Sequence, residues 1–241
     1  RSFEAEYLKQ KGFPVPPQQR KYTVNQNLFG VTVSGAEIDG RSEPDEAAFF
    51  LTRIRAPDRP CRVAIGFERG RPVRLNGRRM AGHEILEKLN RLAGGYGIGR
   101  FIYTGDCVVG IKGRIAFECP GVHALITAHQ ALSEAVLSKE QNQFQRSIGE
   151  KWTQLVYAGL YFDPLRADLE YFIDRQQRFV EGDVRLKLEP RRLMAVGYSS
   201  PYRIRGPGVT YAQRATWSAA DAAGFVKLFG LATNLAGPRE R

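Results

Sequence analysis

Arg62-Val63-Ala64-Ile65-Gly66-Phe67, followed after a turn over Glu68 to Pro72 by Val73-Arg74-Leu75, is the stretch on which the fold class rests. Its large apolar residues alternate with small or polar ones, the period of a strand with one buried face, and its two arms read as a β-hairpin. Outward toward the C-terminus, Gly82 to Leu92 carries Ile85, Leu86 and Leu89 at helical spacing, and Gly94 and Gly95 are expected to stop that helix. Two strands follow, about Arg100 to Ile111 and Arg114 to Glu118, and then three long helical patterns, Val122 to Leu137, Gln141 to Leu160 and Leu165 to Val180. Strands return at Asp183 to Leu188 and Arg192 to Gly197, and Asp221 to Phe229 reads as a last short helix. Outward toward the N-terminus, Tyr22 to Val33 reads as a loop and short strand. Ser2 to Lys11 reads as an amphipathic helix ended by Gly12, and Phe13 to Pro17 as an extended linker. Hairpins and helix runs are segregated, without regular alternation, so the expected class is α+β: antiparallel sheets packed with several long helices.

Composition narrows the function. The chain has 241 residues, with 36 Lys and Arg against 25 Asp and Glu, a net charge of +11. The arginines are interleaved with Asp, Glu, Pro and Gly, and no RNP motif, zinc finger or basic zipper region occurs, so no specific nucleic-acid partner is expected. No apolar run approaches the roughly 18 residues of a membrane helix, and the polar N-terminus has no signal-like apolar region; a cytoplasmic location is expected. Cys61, Cys107 and Cys119 are an odd number without CxxC spacing, which argues against a disulfide framework or a cysteine zinc site. His123 and His129 stand six apart on a helical pattern and point to different faces, so no metal site is expected. There is no GxSxG elbow and no GxxxxGK[ST] loop. The glycine-rich run Ala93 to Gly99 follows a helix and precedes a strand, the reverse of a phosphate loop, and reads as a helix end with a tight turn. No catalytic residue can be named.

Several blocks taken together resemble one family. Thr23-Val24-Asn25-Gln26-Asn27-Leu28 is similar to the S-x-D-x-N-L segment of argininosuccinate synthases. Asn90, Ala93-Gly94 and Gly97-Ile98-Gly99-Arg100 resemble its N-x-x-A-G-x-H-G-x-G-R. Gly110 to Arg114 with Phe117-Glu118-Cys119-Pro120 resembles its G-x-K-S-R-G-x-Y-E-x-P. Leu155 to Gly159, Glu181 to Val184, Ser200-Pro201 and Asp221 to Phe225 follow in the family's order. The resemblance implies a ligase of arginine biosynthesis that joins citrulline and aspartate with ATP, in which the ureido oxygen attacks the α-phosphate, pyrophosphate leaves, and the aspartate amine then displaces AMP. It also implies a division of labour. Residues 1–21 would be a connector helix and Pro-rich linker, and residues 22–241 the synthetase and oligomerisation domain. ATP, with Mg2+, would be bound mainly by an ATP-pyrophosphatase domain that this sequence lacks, so the chain alone would be inactive. The implied partners are a citrulline-like acceptor, aspartate, and further copies of the chain in a tetramer, or a dimer.

By the same resemblance the positions that hold the amino-acid end of citrulline are Thr23, Thr32, Ser34, Gly105 and Phe117. The first two keep a hydroxyl where the family has serine. Ser34 and Gly105 stand in place of glutamates, and Phe117 in place of a tyrosine. Loss of one charge-assisted hydrogen bond, about 1.5–3 kcal/mol, and of a phenol, about 1 kcal/mol, would weaken citrulline binding about a hundredfold or more. Asp106 neighbours Gly105 but faces the other side of a regular strand, and only a bulge would re-aim it. Two alternatives stand beside this: a paralogue that ligates an acceptor lacking the α-ammonium, or a bulkier and less polar one, and a non-catalytic stand-alone module that pairs with a separate nucleotide-binding subunit.

Overall fold

The computed structural model describes residues 2–14, 21–40, 42–55, 59–206, 208–209 and 215–237. The chain divides into two compact units, residues 1–203 and 204–241. Among the described residues the first unit holds two antiparallel sheets and five α-helices, an α+β architecture.

The sheet foreshadowed by the 61–75 hairpin has five strands: β3 (Cys61–Glu68), β4 (Arg71–Leu75), β5 (Arg78–Arg79), β8 (Gly182–Glu189) and β9 (Arg192–Ser199), in the order β5-β4-β3-β8-β9. Alternation places Val63, Ile65 and Phe67 of β3 on one face, with Leu186 opposite Val63 and Val184 opposite Ile65. That face is covered by α2 (Gly82–Gly95), through Ile85, Leu89 and Ala93, and by α3 (Pro120–Val136), through Ala124, Ala128, Leu132 and Val136. The i+4 spacing on α3 is the stripe one helix face offers a sheet. Each fully buried aliphatic side chain in this layer contributes about 1.5–3 kcal/mol.

The other sheet has four strands, β1 (Thr23–Asn27), β2 (Gly30–Ser34), β7 (Lys112–Glu118) and β6 (Arg100–Asp106), in the order β1-β2-β7-β6. One face is sealed: Val31, Val33 and Ala116 pack with Tyr22, Ile38, Ala48 and Phe49, the middle of these carried by 3-10 turns at Ala36–Asp39 and Glu46–Ala48. Helices α4 (Lys139–Tyr157) and α5 (Pro164–Gln177) follow α3 and pack on each other, with Phe144 edge-on to Phe172. N-terminal α1 (Ser2–Gln10) leaves Phe3, Tyr7 and Leu8 exposed, and Gly12 ends it with φ +81. From Val15 the expected linker lies outside the described residues.

Some expectations move. Tyr22 to Val33 is a complete hairpin, β1 and β2, because its polar residues line an open face while Val31 and Val33 take the buried one. Gly94 and Gly95 do not stop α2. The helix continues to Gly95, since Gly94 is there for close approach: a Cβ on it would collide with the Leu51 carbonyl oxygen. The turn comes at Gly97, φ +70, and Gly99, φ +96. Strand β6 ends at Asp106, and Cys107 to Ile111 forms the turn into β7, closed by a hydrogen bond from the Cys107 amide to the Ile111 carbonyl.

The second unit contains α6 (Ala219–Phe229) and a further short helix, α7 (Leu231–Ala236). Ser218 caps α6 by accepting from the Asp221 amide, and the Phe225 and Phe229 rings stack with centroids 5.1 Å apart.

Candidate functional site

Strand register brings the five expected positions to one surface. Thr23 lies opposite Ser34, and Thr32 opposite Phe117. Phe117 in turn lies opposite Phe101, Tyr103 opposite Ile115, and Gly105 opposite Gly113. Paired residues share a face and so do residues two apart, so Thr23, Thr32, Ser34, Gly105 and Phe117 all stand on the open side of the four-stranded sheet. The hydroxyls of Thr23, Thr32, Ser34 and Tyr103 have no hydrogen-bond partner among the described residues.

Gly105 is not empty space. A Cβ built on it would collide with Oη and Cζ of Tyr103, so the Tyr103 ring lies over the glycine. The two residues are two apart on one strand, which places their side chains on the same face. Asp106 is no substitute for a group at 105. The register of β6 with β7 runs without a bulge through Gly105 and Asp106, so Asp106 faces the opposite side. There its Oδ2 is 2.7 Å from Lys112 Nζ, and Lys112 is its partner residue across the ladder.

The sealed side is tied to residues 37–52 by hydrogen bonds. Glu118, 1 % exposed, accepts hydrogen bonds from the amides of Phe50 (2.7 Å), Leu51 (2.9 Å) and Thr52 (2.8 Å), and from the Thr52 hydroxyl (2.5 Å). Arg100 donates to Thr52 Oγ1 at 2.6 Å, lies over the Phe49 ring, and pairs bidentately with Glu46 at 2.7 and 2.9 Å. Its guanidinium holds the Glu46 carboxyl below the usual range. Arg114 donates to the carbonyls of Ile38, Gly40 and Ser42. The Tyr22 hydroxyl, 2.5 Å from Glu37 Oε1, is the main cause that brings the Glu37 carboxyl down to about 2. Arg100, Arg114 and Glu118 therefore serve architecture, not chemistry.

A wide cleft of about 1160 Å³ opens between the β1–β2 turn, residues 50–55 and α2, and gathers Arg53, Arg55 and Arg91, the last 3.5 Å from Glu87. Sequence spacing gave no sign of this cluster, because the three come from two distant segments. The Ala93 to Gly99 run does not fit a nucleotide phosphate. Gly94 abuts Leu51, a Cβ on Gly97 would meet Ile54 Cγ1 at 2.8 Å, and a Cβ on Gly99 would meet Pro120 Cα at 2.5 Å, so the close approaches of the run are to protein.

Among the described residues no group of three or more His, Cys, Asp or Glu is placed to hold a metal ion, and no helix is long and apolar enough to cross a membrane. The three cysteines are free. His129 Nε2 lies 2.7 Å from Gln177 Oε1, and His123 packs edge-on against Phe101; burial lowers the pKa of both imidazoles.

The family model for the "Arginosuccinate synthase C-terminal domain" matches residues 22–236. The chain is 47 % identical over 237 residues to an argininosuccinate synthase of Xylella fastidiosa, covering 98 % of this chain and 59 % of that protein. It is 46 % identical to one of Xanthomonas campestris, with 98 % and 60 % covered, and 36 % identical to one of Methanocaldococcus jannaschii, with 96 % and 59 % covered. The chain thus spans about three-fifths of the length of these relatives.

Proposed function

Because the chain belongs to the argininosuccinate synthase family, whose C-terminal domain it carries, we propose that it forms the acceptor-holding half of an ATP-dependent, AMP- and pyrophosphate-forming C–N ligase of arginine biosynthesis. The acceptor is a citrulline-type ureido compound and the second substrate is aspartate. The observation that carries this reading is the shared open face of Thr23, Thr32, Ser34, Gly105 and Phe117, whose hydroxyls have no partner among the described residues.

Nucleotide activation belongs to a segment other than this one, with Mg2+ bound alongside ATP there. Residues 1–21 act as a connector and 22–241 as the synthetase and oligomerisation domain of a cytoplasmic tetramer. The complete natural protein, given ATP, a ureido acceptor and aspartate, should release one pyrophosphate per C–N bond formed over many turnovers, and residues 1–241 alone should release none. Steady pyrophosphate release that needs neither acceptor nor aspartate would overturn the proposal. A second reading is a module working with a separate nucleotide-binding subunit, and the poor fit of the glycine run to phosphate suits both readings alike. The intact mass of the natural protein separates the two: a mass near 27.1 kDa supports the module and a larger one the single-chain enzyme.

A further inference from the structure

A pocket of about 450 Å³ opens between the β3–β4 turn, α3 and α4, and shares no residue with the four-stranded sheet. Its make-up is that of a small-molecule site: an apolar wall from Phe67, Pro72, Leu125 and Ile126, with a few polar groups. Phe67 is buried and meets the His129 ring edge-on. His129 is held in one tautomer. Its Nε2 lies 2.7 Å from Gln177 Oε1, and an amide oxygen accepts, so the proton sits on Nε2 and Nδ1 is left an acceptor. The one donor that Nδ1 meets among the described residues, the Ser133 hydroxyl, stands at 3.5 Å, the limit of a hydrogen bond. Gln177 is 9 % exposed and its own Nε2 has no partner among the described residues, so a buried donor is left unpaired to hold the ring this way. At the rim, Glu134 of α3 and Arg146 of α4 face each other but approach only to 4.0 Å. Gln130 donates to Glu134 Oε1 at 2.9 Å, and Arg146 makes no hydrogen bond among the described residues.

We propose that this pocket binds a free hydroxyaromatic amino acid, its ring against Phe67, Leu125 and Ile126, its hydroxyl donating to His129 Nδ1, its carboxylate on Arg146 and its ammonium on Glu134. A purely apolar ligand would leave the Nδ1 acceptor unpaired away from water, which costs binding. A ligand with a single charge would gain from only one of Glu134 and Arg146. A zwitterion seated between them matches both and adds no net charge to the pocket. There is room for it: Gly149 of α4 lines the pocket and has nothing within 4 Å of its Cβ position. The proposal stands on this pocket alone and is independent of the ligase reading.

The test is equilibrium dialysis of the complete natural protein against L-tyrosine at up to about 2 mM. Binding should saturate at one molecule per chain with a Kd below about 1 mM. L-phenylalanine, which lacks only the hydroxyl, should bind about threefold to tenfold more weakly. Tyramine, without the carboxylate, should lose a similar factor. Gly149→Leu, which places a side chain in the open volume on a helix that tolerates it, should weaken tyrosine by about tenfold or more without lowering the thermal midpoint. Arg146→Gln, an exposed change that spares the fold, should weaken tyrosine about threefold to tenfold and leave tyramine unchanged. Absence of saturable tyrosine binding up to about 2 mM, as when another copy of the chain covers the pocket, would overturn the proposal. So would binding that Gly149→Leu and Arg146→Gln both leave unchanged, or phenylalanine binding as tightly as tyrosine.

Discussion

Glu118 shows how a residue that looks chemical in sequence becomes structural in the fold. It is an acid beside a pocket position, Phe117, yet it faces the other way and its oxygens accept four hydrogen bonds from residues 50–52. Glu118→Gln keeps the shape but turns one acceptor oxygen into a donor that faces donors. With each charge-assisted bond worth about 1.5–3 kcal/mol, the variant should lose about 2–4 kcal/mol, seen as a lower urea midpoint with an unchanged slope. Glu37 gives a pH prediction. Its carboxyl titrates at about 2, against an ordinary 4.5, first because of the Tyr22 hydroxyl. A depressed carboxylate stabilises the fold fully above the ordinary value, and that contribution fades as pH falls from about 4.5 toward 2. Tyr22→Phe should return the Glu37 carboxyl toward its ordinary value in an NMR titration and flatten this part of the acid unfolding curve. A titration unmoved by the substitution would contradict the assignment.

At the scale of elements, the α2–α3 pair is set by small residues. Gly94 on α2 touches the Leu51 carbonyl, and a Cβ on Gly121, at the start of α3, would come within 2.8 Å of the Leu86 carbonyl and of Asn90 Oδ1. Asn90 also donates to the Leu28 carbonyl, which ties the β1–β2 turn to the same junction. Gly121→Ala should therefore cost about 1–3 kcal/mol by overpacking. Gly149 in α4 has nothing within 4 Å of its Cβ position, so Gly149→Ala should stabilise by about 0.5–1 kcal/mol through helix propensity. Thermal unfolding of the two variants should shift in opposite directions. The helix-stop reading of Gly94 erred for this reason: a glycine that admits a neighbouring backbone and one that ends a helix look alike in sequence. The strands of the 61–75 hairpin were legible because Val63, Ile65 and Phe67 repeat every second residue. The β1 strand was not, since none of its residues is buried.

For the whole molecule, the site was legible as residue types but not as a surface, because pairing between strands far apart in sequence creates it. Thr32 and Phe117 are adjacent only through the β2–β7 ladder. The rule that alternate strand residues share a face puts Tyr103 beside Gly105, and the same rule sends Asp106 to the other side of the sheet, where it pairs with Lys112. Charge, in contrast, is fully set by composition, and it has a consequence at this scale. Many acids are engaged: Glu68 with Arg74 and Arg79, Glu46 with Arg100, Glu170 with Arg166 and Asp106 with Lys112. The excess of 36 cations over 25 anions leaves a positive field that is spread over the surface, without a reading helix or a base-stacking motif. Such a field attracts polyanions by releasing their counterions, so duplex DNA should bind at low salt and be lost steeply as salt rises, with a log–log slope near −0.9 per phosphate contacted. Fluorescence anisotropy with two unrelated duplexes, each of about 20 base pairs, should give the same affinity for both within about twofold at each salt concentration. A sequence preference of about tenfold that survives physiological salt would overturn this account and require a direct base-reading surface on the protein.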